Sequence, residues 1–294
     1  MKVIVYTLNS FAKTKDGGNP AGVVLQADGL SDEEMLGIAH QVGFSETAFV
    51  QKSEKANYKV RFFTPNSEVE LCGHATIATF ALLKNKKMID DGILCQETKA
   101  GILNIEVDHE KIYMSQNTPE YLNIIDKNEV ADSLNINQND FISHLPIQIV
   151  STGLKDIMIP IKSLDKLFSI KPDYKKIAAL SKRYNIIGFH VFSLETKFDS
   201  TAHCRNFAPL YNINEESATG TSNGALACYL YNHGIINQEQ SSELVFEQGY
   251  SMKKPSEILV RLKIDNNKIC EVKVGGTAII KRKLKFARKL NVPK

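Results

Sequence analysis

No Cys-x-x-Cys pair occurs among the 294 residues, and the five cysteines, Cys72, Cys95, Cys204, Cys228 and Cys270, are widely spaced and odd in number. That speaks against a disulfide framework and a zinc knuckle, and points to a reducing, cytoplasmic setting. The histidines show no regular ligand spacing with cysteine or acid, so no metal is expected. Neither a Walker loop nor a G-x-G-x-x-G turn is present, which removes the usual signals for a nucleotide cofactor. No apolar stretch approaches the length of a membrane span, and the opening MKVIVYTLNS is broken at Thr7 too early for a signal-peptide core. A Pro/Gly/Ser-rich linker and low-complexity blocks are also missing, so any domain boundary has to be inferred from repetition.

What is present is ordinary core material: 43% hydrophobic and 23% charged residues, the balance of a folded globular protein. The length exceeds the usual single domain and favours two. The net charge of +3 is concentrated at one end. Residues 281–294, KRKLKFARKLNVPK, hold seven Lys or Arg; without them 29 basic residues face 33 acidic ones, a net of −4. A solvated terminal strand explains this tail without a nucleic-acid or membrane partner.

A repeat organises the chain. RFFTP at 61–65 leads to CGHATIATFALL at 72–83, and RNFAP at 205–209 leads to ATGTSNGALACYLYNHG at 218–234. Strand-like sequence follows each, at 93–107 and 243–262. Two copies of one domain plan are implied, each a strand, a loop, a helix and a hairpin. From Gly73 to Leu83 only His74 can carry charge, and from Gly220 to Asn232 nothing does. Helices apolar or small on every face have to be enclosed by the protein's own strands. Strands are expected at Val3–Leu8, Gly22–Leu25, Thr47–Val50, Tyr58–Phe63, Leu103–Val107, Ile147–Val150, Phe189–Phe192 and Val272–Ile280. At 31–43, Ser31, Glu34 and Gly43 read as capping box and helix stop. Glu46 then falls at the entry to a strand, an anchored place for a functional side chain.

The two enclosed helices open on small residues, Cys72-Gly73-His74-Ala75 and Thr219-Gly220-Thr221-Ser222. Unspent N–H groups and the positive dipole end at such starts suit a carboxylate or a developing oxyanion, and two of them could face each other across a cleft. Each glycine alone would equally serve a tight turn. Glu46, in the apolar segment GFSETAFV, would be partly desolvated, a setting that suits a carboxyl to proton transfer, although an exposed glutamate is as good a reading from the residues alone. His74 can donate from the first helical turn or simply satisfy the backbone. Cys72 can be a thiolate or a small buried residue.

GGNPAGVVL (17–25), FSETAFV (44–50), RFFTPNSEVELCGHAT (61–76), RNFAPLYNINEESATGTSNG (205–224) and QGYSMKKPS (248–256) resemble, in order, the signature segments of the phenazine-biosynthesis F-like family. The resemblance implies an α+β, diaminopimelate epimerase-like fold: two pseudo-symmetric domains, each a central helix wrapped by a curved, mostly antiparallel sheet, with the active site between them. The domains expected are residues 1–116, with the tail 281–294 returning to them, and residues 117–280.

The resemblance also implies a cofactor-independent isomerase that moves a proton between carbons of a small carboxylated molecule, often as a homodimer. It makes Glu46, His74 and Glu216 catalytic, with Asn19, Ser45, Gly73, Thr219, Gly220 and Thr221 binding substrate and no metal involved. Glu216, Ser217 and Thr221 depart from the family's aspartate, proline and serine, which leaves a non-catalytic carboxylate-binding protein as the alternative. Epimerases of related fold use two opposed cysteines. Cys72 matches the first and Thr219 the second, and a threonine cannot serve as a thiolate, which argues against that chemistry.

Overall fold

The computed structural model describes residues 2–287, so residues 288–294 of the basic tail lie outside the described residues. The chain forms two compact units. One takes the described residues up to Lys15, Asn19–Met114 and those from Gly275 on; the other takes Asp16–Gly18 and Ser115–Val274.

In the first unit β1 (Lys2–Ser10) turns back into β2 (Asn19–Val24), α1 (Asp32–Val42) leads to β3 (Thr47–Gln51), and β4 (Tyr58–Phe63) and β5 (Glu68–Val69) precede α2 (Gly73–Asn85). The hairpin of β6 (Gly92–Thr98) and β7 (Gly101–Asp108) follows, and β8 (Lys111–Gln116) carries the chain onward. The second unit holds β9 (Glu120–Ile124), α3 (Lys127–Leu134), β10 (Gln148–Ser151), β11 (Lys155–Ile161), α4 (Leu164–Ser169), α5 (Tyr174–Tyr184) and β12 (Gly188–Ser193). Next come β13 (Ala202–Ala208), β14 (Ile213–Glu216), α6 (Gly220–Asn232), β15 (Leu244–Gln248) and β16 (Ser256–Asp265). β17 (Lys268–Gly276) leads back, and β18 (Ala278–Ala287) pairs antiparallel with β1.

The strand pairings repeat. β1–β2 is antiparallel, β2–β3 parallel, β3–β4 and β4–β5 antiparallel, β4–β6 parallel and β6–β7 antiparallel. The second unit runs the same series through β10–β11, β11–β12, β12–β13, β13–β14, β13–β15 and β15–β16. The fold is α+β and mostly antiparallel, with one plan used twice. Each plan encloses its apolar helix: α2 buries every residue from His74 to Phe80 plus Leu82 and Leu83, and α6 buries Ser222 to Leu230. In the first unit Ala75, Ala78 and Leu82 of α2 pack on Leu8, Val23, Val60 and Phe62 of the strands.

The repeated R-x-F has a physical meaning in both units. Arg61 in β4 makes a bidentate pair with Glu68 in β5 at 2.8 and 3.0 Å, and its guanidinium lies 5.1 Å from the centre of the Phe63 ring. Arg205 in β13 repeats this with Glu215 in β14, both bonds 2.9 Å, over Phe207 at 4.9 Å. Arg205 also donates to the carbonyls of Leu167 and Ile170, which ties α4 to the sheet.

Local signals at α1 are realised as expected. The Glu34 N–H donates to Ser31 Oγ, the Ser31 N–H donates to Glu34 Oε2, and Gly43 ends the helix at φ 71°. One strand expectation needs correction. Val272–Ile280 is not one strand, because the ladder breaks at Thr277, whose carbonyl accepts from the Phe11 N–H at 2.7 Å, and the chain changes partners there. The return to the first unit accordingly begins at Gly275, where a Cβ would stand 2.4 Å from the Ile112 carbonyl oxygen. No helix among the described residues is long and apolar enough to cross a membrane, and all five cysteines are free thiols.

Removing a partner from a buried, hydrogen-bonded ion pair costs about 3–5 kcal/mol. Arg205 is the more enclosed arginine, with 7% of its side chain exposed against 18% for Arg61. Arg205→Ala is therefore expected to lose stability in that range and Arg61→Ala distinctly less, as read by urea unfolding of the two variants.

Candidate active site

The start of α2 gathers chemically active groups within the first unit. The sequence turns out of α1 at Gly43 and enters β3 at Thr47, so Glu46 is held at the strand entry; its carbonyl accepts from the Gly22 N–H at 3.2 Å. Its carboxylate Oε2 lies 3.2 Å from His74 Nε2, off hydrogen-bond geometry, and is a buried oxygen that accepts no hydrogen bond among the described residues. His74 is the second residue of α2 and 8% exposed. Its Nε2 is also 3.4 Å from Ser45 Oγ, while Nδ1 is 3.5 Å from Cys72 Sγ. One imidazole therefore has a carboxylate at Nε2 and a thiol within reach of both nitrogens, 3.9 Å from Nε2.

The helix start itself is unspent. Cys72 occupies the N-cap and makes no side-chain cap bond, so the first N–H groups of α2 are left without the partner that Ser, Thr, Asp or Asn would bring. Ser10 Oγ donates to the His74 carbonyl at 2.6 Å, and Ser10 stands opposite Asn19 in the β1–β2 register. A Cβ at Gly73 would meet only Met114 Cε, at 3.6 Å, and Gly73 does not carry the positive φ of a tight turn. The small residue leaves the helix end open instead of relieving a clash.

The start of α6, in the second unit, carries the other expected residues. Thr219 is the N-cap and again makes no cap bond. Its hydroxyl donates to Glu216 Oε2 at 2.5 Å, and its N–H donates to Gln248 Oε1 at 3.1 Å. Gln248 Nε2 donates in turn to the Glu216 carbonyl. Gly220 and Thr221 form the first turn, and Ser217 donates to the Gly18 carbonyl.

Behind this start lies a buried polar network. Ser222 Oγ donates to Asp156 Oδ2 at 2.5 Å, Asn206 bridges Ser222 and His190 Nδ1, and Asn223 Oδ1 lies 3.3 Å from His190 Nε2. Burial lowers the His190 pKa to about 3, so the ring is neutral. Burial, aided by the Glu216 charge, raises Asp156 to about 6 against the opposing Ser222 and Gly188 bonds.

The structure thus brings Glu46, Ser45, Gly73 and His74 together, sets Asn19 opposite Ser10 in the β1–β2 register, and groups Glu216, Thr219, Gly220 and Thr221 in the other unit. From the sequence Cys72 stays open between a thiolate and a small buried residue and carries no site role, and nothing there singles out Ser10 or Asp156. Gln248 opens the family-like stretch 248–256, where the sequence assigns it no role. Glu46, Cys72 and His74 each offer a ligand atom within 4.8 Å of the others, which makes a cluster able to hold a metal ion.

The chain matches the family described as phenazine biosynthesis-like protein over residues 8–283. An uncharacterized isomerase of Clostridium acetobutylicum is 39% identical over 290 residues, covering 95% of this chain and 96% of the relative. The trans-2,3-dihydro-3-hydroxyanthranilate isomerase of Pseudomonas chlororaphis is 27% identical, covering 92% and 95%. Among solved structures, a phenazine biosynthesis protein of the PhzF family from Bacillus anthracis superposes with a TM-score of 0.89 at 33% identity, over 98% and 99% of the two chains. A hydroxyproline epimerase from Agrobacterium vitis shares the fold at a TM-score of 0.61 and 11% identity, over 99% and 93%. Fold and relatives together define an isomerase on an epimerase-like scaffold. The chain belongs to the phenazine biosynthesis-like protein family.

Asp156 generates a prediction. An acid whose pKa is raised by folding binds its proton more tightly folded than unfolded, so its contribution is most favourable at low pH and is lost as pH rises through about 6. Asp156→Asn removes that dependence. Between about pH 4 and pH 7 the variant should gain on the wild type by up to about 3 kcal/mol in urea unfolding; a difference that stays flat with pH would contradict the assignment.

Proposed function

We propose that this chain is a cofactor-independent isomerase in which Glu46 moves a proton between two carbons of a small carboxylated substrate. The observation that carries the reading is the buried Glu46 oxygen beside His74, accepting no hydrogen bond, at the uncapped start of α2. In the forward step the Glu46 carboxylate takes a proton from an acidic C–H and becomes a carboxylic acid. The electron pair spreads into the substrate's unsaturated or carboxylate group. The open N–H groups of α2 and the positive end of its dipole favour that negative charge. Glu46 then returns the proton to the second carbon, with His74 and Ser45 fixing the substrate's polar groups. The first turn of α6 offers N–H groups of the same kind, and Thr219, Gly220 and Thr221 are assigned to carboxylate binding on that ground.

The substrate named for the Pseudomonas relative is the natural first probe, beside a thermal-shift screen of small cyclic and amino-acid-derived carboxylates. Turnover in deuterated water should place deuterium at the new C–H. A positioned acid/base contributes about 10²–10⁴-fold, so Glu46→Gln should cut that incorporation by such a factor while circular dichroism stays unchanged. Incorporation at the wild-type rate in the Gln variant would defeat the assignment.

Gly73→Ala separates an open helix end from a tight turn. The added methyl has space, and alanine suits a helix better than glycine by up to about 1 kcal/mol. The melting temperature should hold or rise while the ligand-induced shift and turnover fall. A drop in melting temperature with normal ligand response would return Gly73 to a purely structural role.

A further inference from the structure

We propose that the Glu46, Cys72 and His74 cradle is a binding site for one soft divalent cation of the zinc type, and that occupancy shuts off the proton carrier. The donor set is the first argument. A thiol, an imidazole and a carboxylate are the ligand types zinc takes together, and magnesium and calcium do not favour the sulfur. The geometry is the second. Tetrahedral zinc with bonds of about 2.0–2.3 Å places its ligand atoms roughly 3.3–3.7 Å apart. His74 Nε2 stands 3.2 Å from Glu46 Oε2 and 3.9 Å from Cys72 Sγ, and the three ligand atoms lie within 4.8 Å of one another, so the thiol draws inward on the other two as the ion binds. Ser45 Oγ, 3.4 Å from the same nitrogen, leaves the fourth position to a hydroxyl or a water.

Unsatisfied chemistry is the third argument. Glu46 Oε2 is buried with no hydrogen bond to it among the described residues, and a buried carboxylate oxygen in that state gains from a cation. The α2 start opposes a bare positive charge. Deprotonated Cys72 and ionised Glu46 bring two negative charges that neutralise a divalent ion, and the same helix end favours the thiolate. Binding releases the thiol proton to solvent and forms the sulfur–metal bond, with no change of oxidation state. Sequence spacing hides the site because Glu46 reaches it from the loop before β3, 26 positions ahead of Cys72.

Metal binding stands apart from the isomerase reading; the loss of turnover on binding rests on it. The test uses the full chain, stripped with a chelator and titrated with cobalt(II). A thiolate-to-cobalt charge-transfer band should grow to one equivalent, disappear on adding zinc, and ignore magnesium. Cys72→Ser should abolish the band, and Glu46→Gln should weaken zinc by about tenfold or more in competition with a chromogenic chelator. One equivalent of zinc should also stop the deuterium incorporation described above. No charge-transfer band in the wild type, or a band that survives Cys72→Ser and so belongs to another cysteine such as Cys95 or Cys270, overturns the proposal. A band that behaves as expected in a protein showing no exchange would fault the isomerase reading alone.

Discussion

A helix without a polar face cannot stand in water, and this constraint shapes each unit. Once α2 or α6 is sunk among strands, side chains can no longer be added freely around its ends, and the start of the helix becomes a fixed, low-dielectric place where backbone N–H groups point outward. Cys72 and Thr219 at the two N-caps leave those groups unspent. A serine or aspartate there would have stabilised the helix by about 1 kcal/mol and closed the site. The active groups lie where the fold forgoes a local stabilising interaction.

The duplicated pairing gives that constraint its frame. In both units an arginine two residues before a phenylalanine locks a short strand through a bidentate glutamate pair. The short strand, β5 or β14, is what aims the chain into the helix start. The two copies then diverge in chemistry. The first places a carboxylate, an imidazole and a thiol at the helix entry, and the second, among the described residues, places the Glu216 and Asp156 carboxyl groups there with hydroxyls, amides and a neutral histidine and no thiol.

Much of this was legible from local sequence. Ser31, Glu34 and Gly43 signal their helix because capping acts over a few residues, and the apolar helices announce themselves by lacking charge. The RxFxP repeat gave the duplication, but the reason for its arginine was not readable, since the partners Glu68 and Glu215 are fixed only by strand register. The break at Thr277 was missed because alternation continues through it while the hydrogen-bonding partner changes. Glu46 and His74 were placed by motif; Cys72 and Ser10 join them through packing that no spacing rule encodes. Asp156 sits in an apolar run, LKDIMIP, where an acid reads as an anomaly until Ser222 is seen against it.

The β1–β18 ladder pairs Leu8 with Ile280, 272 positions later. During synthesis the first unit must hold β1 without its outer neighbour until nearly every other strand has emerged. The second unit, which ends at Val274 within β17, pairs its strands with partners much nearer in sequence. Strand pairs this remote in sequence close slowly and leave an unpaired edge exposed meanwhile. The basic residues Lys281, Arg282, Lys283 and Lys285 on β18 put like charges along the strand that arrives last, which discourages two such strands from finding each other before β1 does.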